Sequence, residues 1–172
     1  TRLRLLPIAQ MSQINIMKAK VILFLASIFL LVSSCDLLDC TQGEVSYLRM
    51  SICDAQDNTV VLPDTLTITT CGIDSVLVNK DMNTCEILLP LSYHALVDTF
   101  VMHYSGEFYA ITETLFVSKT NNIYFESPDC PTLMMHTILS ASCTQNLFDS
   151  VKVVSNKINF EETTHLKLFV QE

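Results

Sequence analysis

The chain has 172 residues, 18 acidic against 10 basic, for a formal net charge of −8. With 49% hydrophobic residues it can build a buried core, and its negative surplus repels phosphate backbones, which argues against a nucleic-acid partner. Seven cysteines in a chain of this length point to an oxidising compartment rather than the cytosol.

The first ten residues, TRLRLLPIAQ, precede any methionine and read as a translated leader, with Met11 or Met17 as the start. In the stretch Met17 to Cys35 (MKAKVILFLASIFLLVSSC), Lys18 and Lys20 precede an apolar run from Val21 to Val32, then two serines and a cysteine. That order of charge, apolar run and small residues is the layout of a secretory signal peptide. The twelve-residue run falls short of the roughly 18 to 20 residues that span a bilayer as a helix, so it reads as an export signal that is removed. An ordinary signal cut nearby and a buried apolar helix are the other readings. Val32-Ser33-Ser34-Cys35 resembles the lipobox of bacterial lipoproteins, although valine stands where leucine is more usual and Ser34 replaces glycine or alanine. In such signals the cut falls before the cysteine, whose thiol carries diacylglycerol and whose amine takes a further acyl chain such as palmitate. Each buried methylene contributes about 0.8 kcal/mol, so one chain holds weakly and two or more hold stably.

Residues 1–34 are therefore set aside as leader and signal, 35–43 (DLLDCTQG after Cys35) as a lipidated tether, and 44–172 as a single domain. Arg2, Arg4, Lys18 and Lys20 leave with the signal and no acidic residue does, which takes the net charge from −8 to −12. With Cys35 lipidated, Cys40, Cys53, Cys71, Cys85, Cys130 and Cys143 remain, an even set able to pair fully, with the connectivity open. Each bridge would add about 2 to 4 kcal/mol. Unpaired, the same residues would serve as small buried hydrophobes.

From Glu44 on, the pattern is strand-like. Leu48, Met50 and Ile52 alternate with Arg49 and Ser51, and Asp54 to Asn58 is a solvated turn, lacking the glycine and closing glutamate of a calcium loop. Strands are expected over Thr65–Thr70, Ile73–Val78, Glu86–Leu91 and Thr99–Ser105, the last with Phe100, Met102 and Tyr104 on one face. Ser105-Gly106-Glu107 is a hairpin signal into Phe108–Val117, and Asn121-Asn122 reads as a turn before Ile123–Phe125. After the rigid Ser127 to Pro131 turn come Leu133–Ser140, Phe148–Val154 with Val151 and Val153 inward, and Leu166–Val170 with its leucines inward and His165 and Lys167 outward. Roughly nine short strands separated by turn residues predict an all-β fold, an antiparallel two-sheet sandwich of immunoglobulin-like general architecture. With three glycines in all, asparagine and aspartate must supply many turns.

No catalytic constellation emerges: there is no Gly-x-Ser-x-Gly elbow, phosphate loop, His-Glu-x-x-His helix or Cys-x-x-Cys pair. The residues call for no cofactor and no metal. His94, His103, His136 and His165 stand alone in sequence. His103 and His136 would make a metal site only by meeting across a sheet, and ordinary polar-face positions suit them better. The methionines and most aromatics read as core, with Tyr104, Tyr109 and Tyr124 available for stacking. Asp64-Thr65-Leu66, Asp74-Ser75-Val76 and Asp149-Ser150-Val151 resemble the O-glycosylation motif of exported Bacteroidetes proteins, making Thr65, Ser75 and Ser150 candidate sites.

Cys35-Asp36, Asp39-Cys40, Ser127 to Cys130, Asp149 to Val153 and Asn156 to Val170 (NKINFEETTHLKLFV) together resemble a family of uncharacterised Bacteroidetes lipoproteins, known only as a domain of unknown function. The likeness covers most of 35–170. It implies a β-rich lipoprotein associated with the outer membrane, periplasmic or surface-exposed, without an established activity. It also implies a bridge between Cys40 and Cys130, with Cys53, Cys71, Cys85 and Cys143 as additions. The expectation is a non-enzymatic envelope lipoprotein, held to the membrane by lipid, with a structural or accessory role. The alternative is a binding module for a glycan or partner protein, such as sandwiches commonly build on end loops or sheet faces.

Overall fold

The computed structural model describes residue 20 and residues 45–72 and 75–171. Apart from residue 20, the leader, signal and tether, Cys35 and Cys40 included, lie outside these described residues. The described part is all-β, with ten strands: β1 (Tyr47–Cys53), β2 (Thr65–Thr70), β3 (Val76–Asp81), β4 (Glu86–Pro90), β5 (Val97–Ser105), β6 (Ala110–Tyr124), β7 (Leu133–Cys143), β8 (Phe148–Val153), β9 (Lys157–Ile158) and β10 (Leu166–Val170). They form a four-stranded sheet, β4-β1-β10-β8, and a six-stranded sheet, β3-β2-β5-β6-β7-β9.

Period-two alternation places one row of each strand between the sheets. Leu48, Met50 and Ile52 face Leu66, Ile68, Phe100 and Met102 within one core cluster, all at most 1% exposed. Burial of a leucine or isoleucine side chain contributes about 1.5 to 3 kcal/mol, so these rows are what holds the layers together. The ladders are antiparallel except between β1 and β10, which run parallel from the pairing of Met50 with Leu166. The loop before β10 prepares that exception: the His165 amide donates to the Arg49 carbonyl at 2.8 Å, and the Arg49 amide donates to His165 Nδ1 at 3.0 Å. His165, expected outward, is therefore buried, its ring closing the end of the ladder. Val153, expected inward, is 38% exposed at the far end of β8.

Turns follow the shortage of glycine. Asp57, Asn83 and Gln145 take positive φ in turns alongside Gly72, and Lys80 takes it within β3, where the register with β2 shifts. In the turn after β1, Asp54 accepts from the amides of Gln56 and Asn58 at 2.9 and 2.8 Å, closing the expected solvated loop. Asn121-Asn122, by contrast, is no turn but lies within β6, and Ile123 continues the same strand. Both asparagine side chains find partners across or along the sheet, Asn122 donating to Thr137 Oγ1 at 3.2 Å, so neither needs its own backbone. Short β9 has no signature in the sequence, since two residues cannot show a period.

A bulge gives the six-stranded sheet its chemistry. β6 and β7 pair from Leu115 with Cys143 to Ser118 with Ser140, and then Lys119 pairs with Ile138, leaving Leu139 as the extra residue. Before the bulge Ala141 and Cys143 pack against the core, and after it Ile138 and His136 do. One extra residue has changed which face of β7 looks inward.

Candidate functional site

Two ionisable side chains on β6 point into the sandwich six positions apart, Glu113 at 0% and Lys119 at 1% exposure. Leu115 and Val117, both buried, fill the row between them. An unpaired charge at such a depth is costly, so the surroundings of each decide its role.

Lys119 sits under the loop joining β4 to β5. Its Nζ donates to the carbonyls of Ser92 (2.5 Å) and Ala95 (2.9 Å) and to Asn121 Oδ1 (2.6 Å), with Asp98 Oδ2 at 3.3 Å. Three donors thus meet four oxygens, which is an ammonium held as a clamp; it has no lone pair for nucleophilic work. Burial pushes the Asp98 carboxyl up and the Lys119 amine down, and each shift is opposed by the charge of the other.

The network continues through Asn121, whose Nδ2 donates to the carbonyls of Tyr93 (2.9 Å) and Ala95 (3.1 Å). With that orientation its Oδ1 accepts, so His136 Nδ1, 2.8 Å away, carries the proton. His136 Nε2 is then a bare acceptor, buried without a partner. Burial, with the Lys119 charge nearby, pushes the His136 imidazole down to about 4, so it is neutral at physiological pH. Tyr93 stacks over the ring with centroids 6.1 Å apart.

Glu113 is the mirror case. Oε1 accepts from the amides of Thr114 (2.8 Å) and Thr144 (2.7 Å) and from the Thr144 hydroxyl. Oε2 accepts from the amides of Asn146 (2.8 Å), Leu147 (2.9 Å) and Phe148 (3.3 Å). Burial by itself would raise this carboxyl, but the Thr144 hydroxyl and the amides of 146–148 outweigh it and hold it down to about 2. The carboxylate supplies the acceptors that the β7–β8 loop lacks.

A third cluster lies at the β5–β6 turn, where the Gly106 amide donates to the Tyr109 carbonyl at 3.0 Å. The Tyr109 hydroxyl donates to Asp64 Oδ2, with the Tyr104 hydroxyl 3.4 Å from the same oxygen. A Cβ at residue 106 would stand 2.6 Å from the Tyr109 ring, so glycine is what lets the ring fold back over the turn.

Two of the open cavities among the described residues bear on the chemistry. One, of about 370 Å³, is lined by Val45, Tyr47, Leu88 and Phe160 with Arg49, whose guanidinium pairs with Glu86 at 2.9 Å and Glu162 at 3.8 Å. The other, of about 520 Å³, lies along β2, β3 and β5 and has Asp98 and Cys71 in its wall.

The structure separates His103 from His136. His103 is level with Thr112 and His136 with Asn121, nine residues apart along β6, which is about 30 Å. Among the described residues no group of three or more His, Cys, Asp or Glu is placed to hold a metal ion. Full cysteine pairing is not what the structure has: Cys53, Cys71, Cys85 and Cys143 carry free thiols. Cys53 is buried at the end of β1, and burial raises its thiol, as it does that of Cys143. Cys130 is disulfide-bonded, and Cys35 and Cys40 fall outside the described residues. Of the hydroxyls in the Asp-Ser/Thr motifs, Ser75 and Ser150 are exposed, whereas Thr65 is half-buried in β2 between β3 and β5. The Glu113 and Lys119 centres escaped sequence reading because each is a lone charged residue within an alternating strand.

These observations define a class of protein: a two-sheet β-sandwich whose buried charges each hold a loop in place. Residues 65–170 match a family of unknown function, DUF6452, and the chain belongs to that family. No curated protein and no solved structure matches the chain.

Proposed function

We propose that the protein is a non-enzymatic lipoprotein of the cell envelope, anchored to the outer membrane through lipid on Cys35 and serving a structural or accessory role. The observation that carries this reading is the Met17 to Cys35 stretch, with its paired lysines, short apolar run and terminal cysteine. The buried groups support the non-enzymatic part. Lys119 and Glu113 are saturated by their own loops, and the neutral His136 is enclosed. In this reading Cys40 is the partner of Cys130, and Ser75 and Ser150 are the accessible hydroxyls for O-linked glycan, as in exported Bacteroidetes proteins.

Globomycin treatment and the Cys35→Ala variant test the anchor. Globomycin is expected to leave a larger, uncleaved precursor in the membrane fraction, and Cys35→Ala to abolish incorporation of labelled palmitate. Unchanged size, labelling and fractionation would sink the proposal. The cavity edged by Tyr47 and Phe160 favours a second reading as a binding module for a glycan or partner protein. A glycan array and crosslinking pull-down from intact envelopes, with no enrichment over denatured protein, would remove it.

A further inference from the structure

The exposed apolar side chains near the end of the β6–β7 hairpin lie where the described chain enters the fold. The Ser46 hydroxyl donates to the Met134 carbonyl at 2.7 Å, so the start of β1 is tied to β7. Met134 is paired with Ile123, which is 73% exposed, and Phe125, just beyond β6, is 59% exposed. Tyr124 contacts Phe160 with ring centroids 5.9 Å apart, and Phe160 in turn borders the cavity that Val45, Tyr47 and Leu88 line. Apolar and aromatic groups therefore run from the hairpin into the mouth of that cavity, and its one cation, Arg49, is already paired with two glutamates.

The length of chain ahead of this surface says what covers it. Cys35 lies ten residues before Val45, a reach of at most about 35 Å when stretched. A bridge between Cys40 and Cys130, which lies in the loop beyond β6, would shorten the tether to five residues, or about 18 Å. The opposite end of β6 is far away. Its 15 residues extend about 45 Å, and the β5–β6 turn at that end carries Phe108, 89% exposed, a strand's length from Val45, where the described chain begins its run into β1.

We propose that the Tyr124 end of the β6–β7 hairpin, together with the rim formed by Tyr47, Leu88 and Phe160, is the face that rests on the lipid surface. This rests on the lipid-anchor reading and adds an orientation to it. Aromatic side chains favour the boundary between headgroups and acyl chains, where an apolar ring and a polar edge are both satisfied. Asp129, Glu161 and Glu162, in or near this end, oppose deep insertion and favour zwitterionic over anionic headgroups.

The chain contains no tryptophan, so a single introduced one is the only indole reporter. Phe125→Trp and Phe108→Trp are prepared in the full-length lipidated protein and reconstituted into phosphatidylcholine vesicles with or without doxyl-labelled lipid. Ile123→Trp serves as a second reporter should Phe125→Trp not fold. The expected result is a blue-shifted emission and several-fold stronger quenching at residue 125 or 123 than at 108. Equal quenching, or stronger quenching at 108, in protein that floats with the vesicles and carries lipid by intact mass overturns the orientation alone. Protein that neither floats nor carries lipid overturns the anchor reading, and the orientation falls with it.

Discussion

Glu113 and Lys119 sit on the same face of the same strand, yet one is a carboxylate wrapped in amides and the other an ammonium wrapped in carbonyls. The β7–β8 loop turns its N–H groups inward, and the β4–β5 loop turns its C=O groups inward. Each loop thus leaves backbone groups of one sign to be satisfied, and a buried side chain of the opposite character meets most of them, with Asn121 taking the Tyr93 carbonyl at the Lys119 end. The difference teaches that a buried charge in this fold is a fastener whose sign is chosen by the loop it holds. The Lys119 end has a further partner in Asp98 and extends through Asn121 to His136, whereas Glu113 has no counter-charge and relies on hydrogen bonds alone.

Breaking the Lys119 end should have the largest effect. Lys119→Met leaves Asp98 buried without a cation and takes the ammonium from the carbonyls of Ser92 and Ala95, of which Ala95 keeps only its bond from Asn121. A loss of about 3 to 5 kcal/mol is expected in urea unfolding. A loss below about 1 kcal/mol would show that water reaches the loop and that the clamp is dispensable.

At the other end, Glu113→Gln turns an amide NH2 toward N–H donors and should cost about 3 kcal/mol at neutral pH, the equivalent of its depressed pKa. Because the folded value is lowered, that stability is complete above the unfolded value near 4.5 and is lost as pH falls toward about 2. The gap between wild type and Glu113→Gln, followed by denaturation across that window, should therefore close with acidification. A gap independent of pH would place the effect in packing rather than charge.

His136 sharpens the contrast at milder pH. Its folded value, about 4 against an ordinary 6.5, means the unfolded chain takes up the proton first, so stability falls as pH drops through that interval. Wild type should lose about 2 kcal/mol between pH 7 and pH 5 from this group, and His136→Gln should flatten that slope. Identical slopes in the two proteins would mean that the ring is protonated in place without penalty.

The smallest change is expected at a charge pair outside the core. Lys167 and Asp57 lie 2.9 Å apart on the surface, where water competes for both. Lys167→Met should leave the urea midpoint where it is, and a clear shift would show that exposed pairs matter here as much as buried ones.

Much of the sandwich was legible from alternation alone. Thr65–Thr70 and Leu166–Val170 are strands with the expected bounds, and Phe100, Met102 and Tyr104 share the buried face of β5. Period two survives in sequence because each of these strands has one wet and one dry side. The same rule misplaced His136 and His165. His136 is turned inward by the bulge at Leu139, and His165 by a hydrogen bond to a strand 116 residues away. Neither cause is local, so neither leaves a local pattern. The strand rows were written in residue order, as alternation. Which strand pairs parallel, which lone charges are buried and which loops they fasten depended on contacts between segments far apart in the chain. Backbone groups of those loops become unsatisfied only once the sheets close, and only then does a single glutamate or lysine become indispensable.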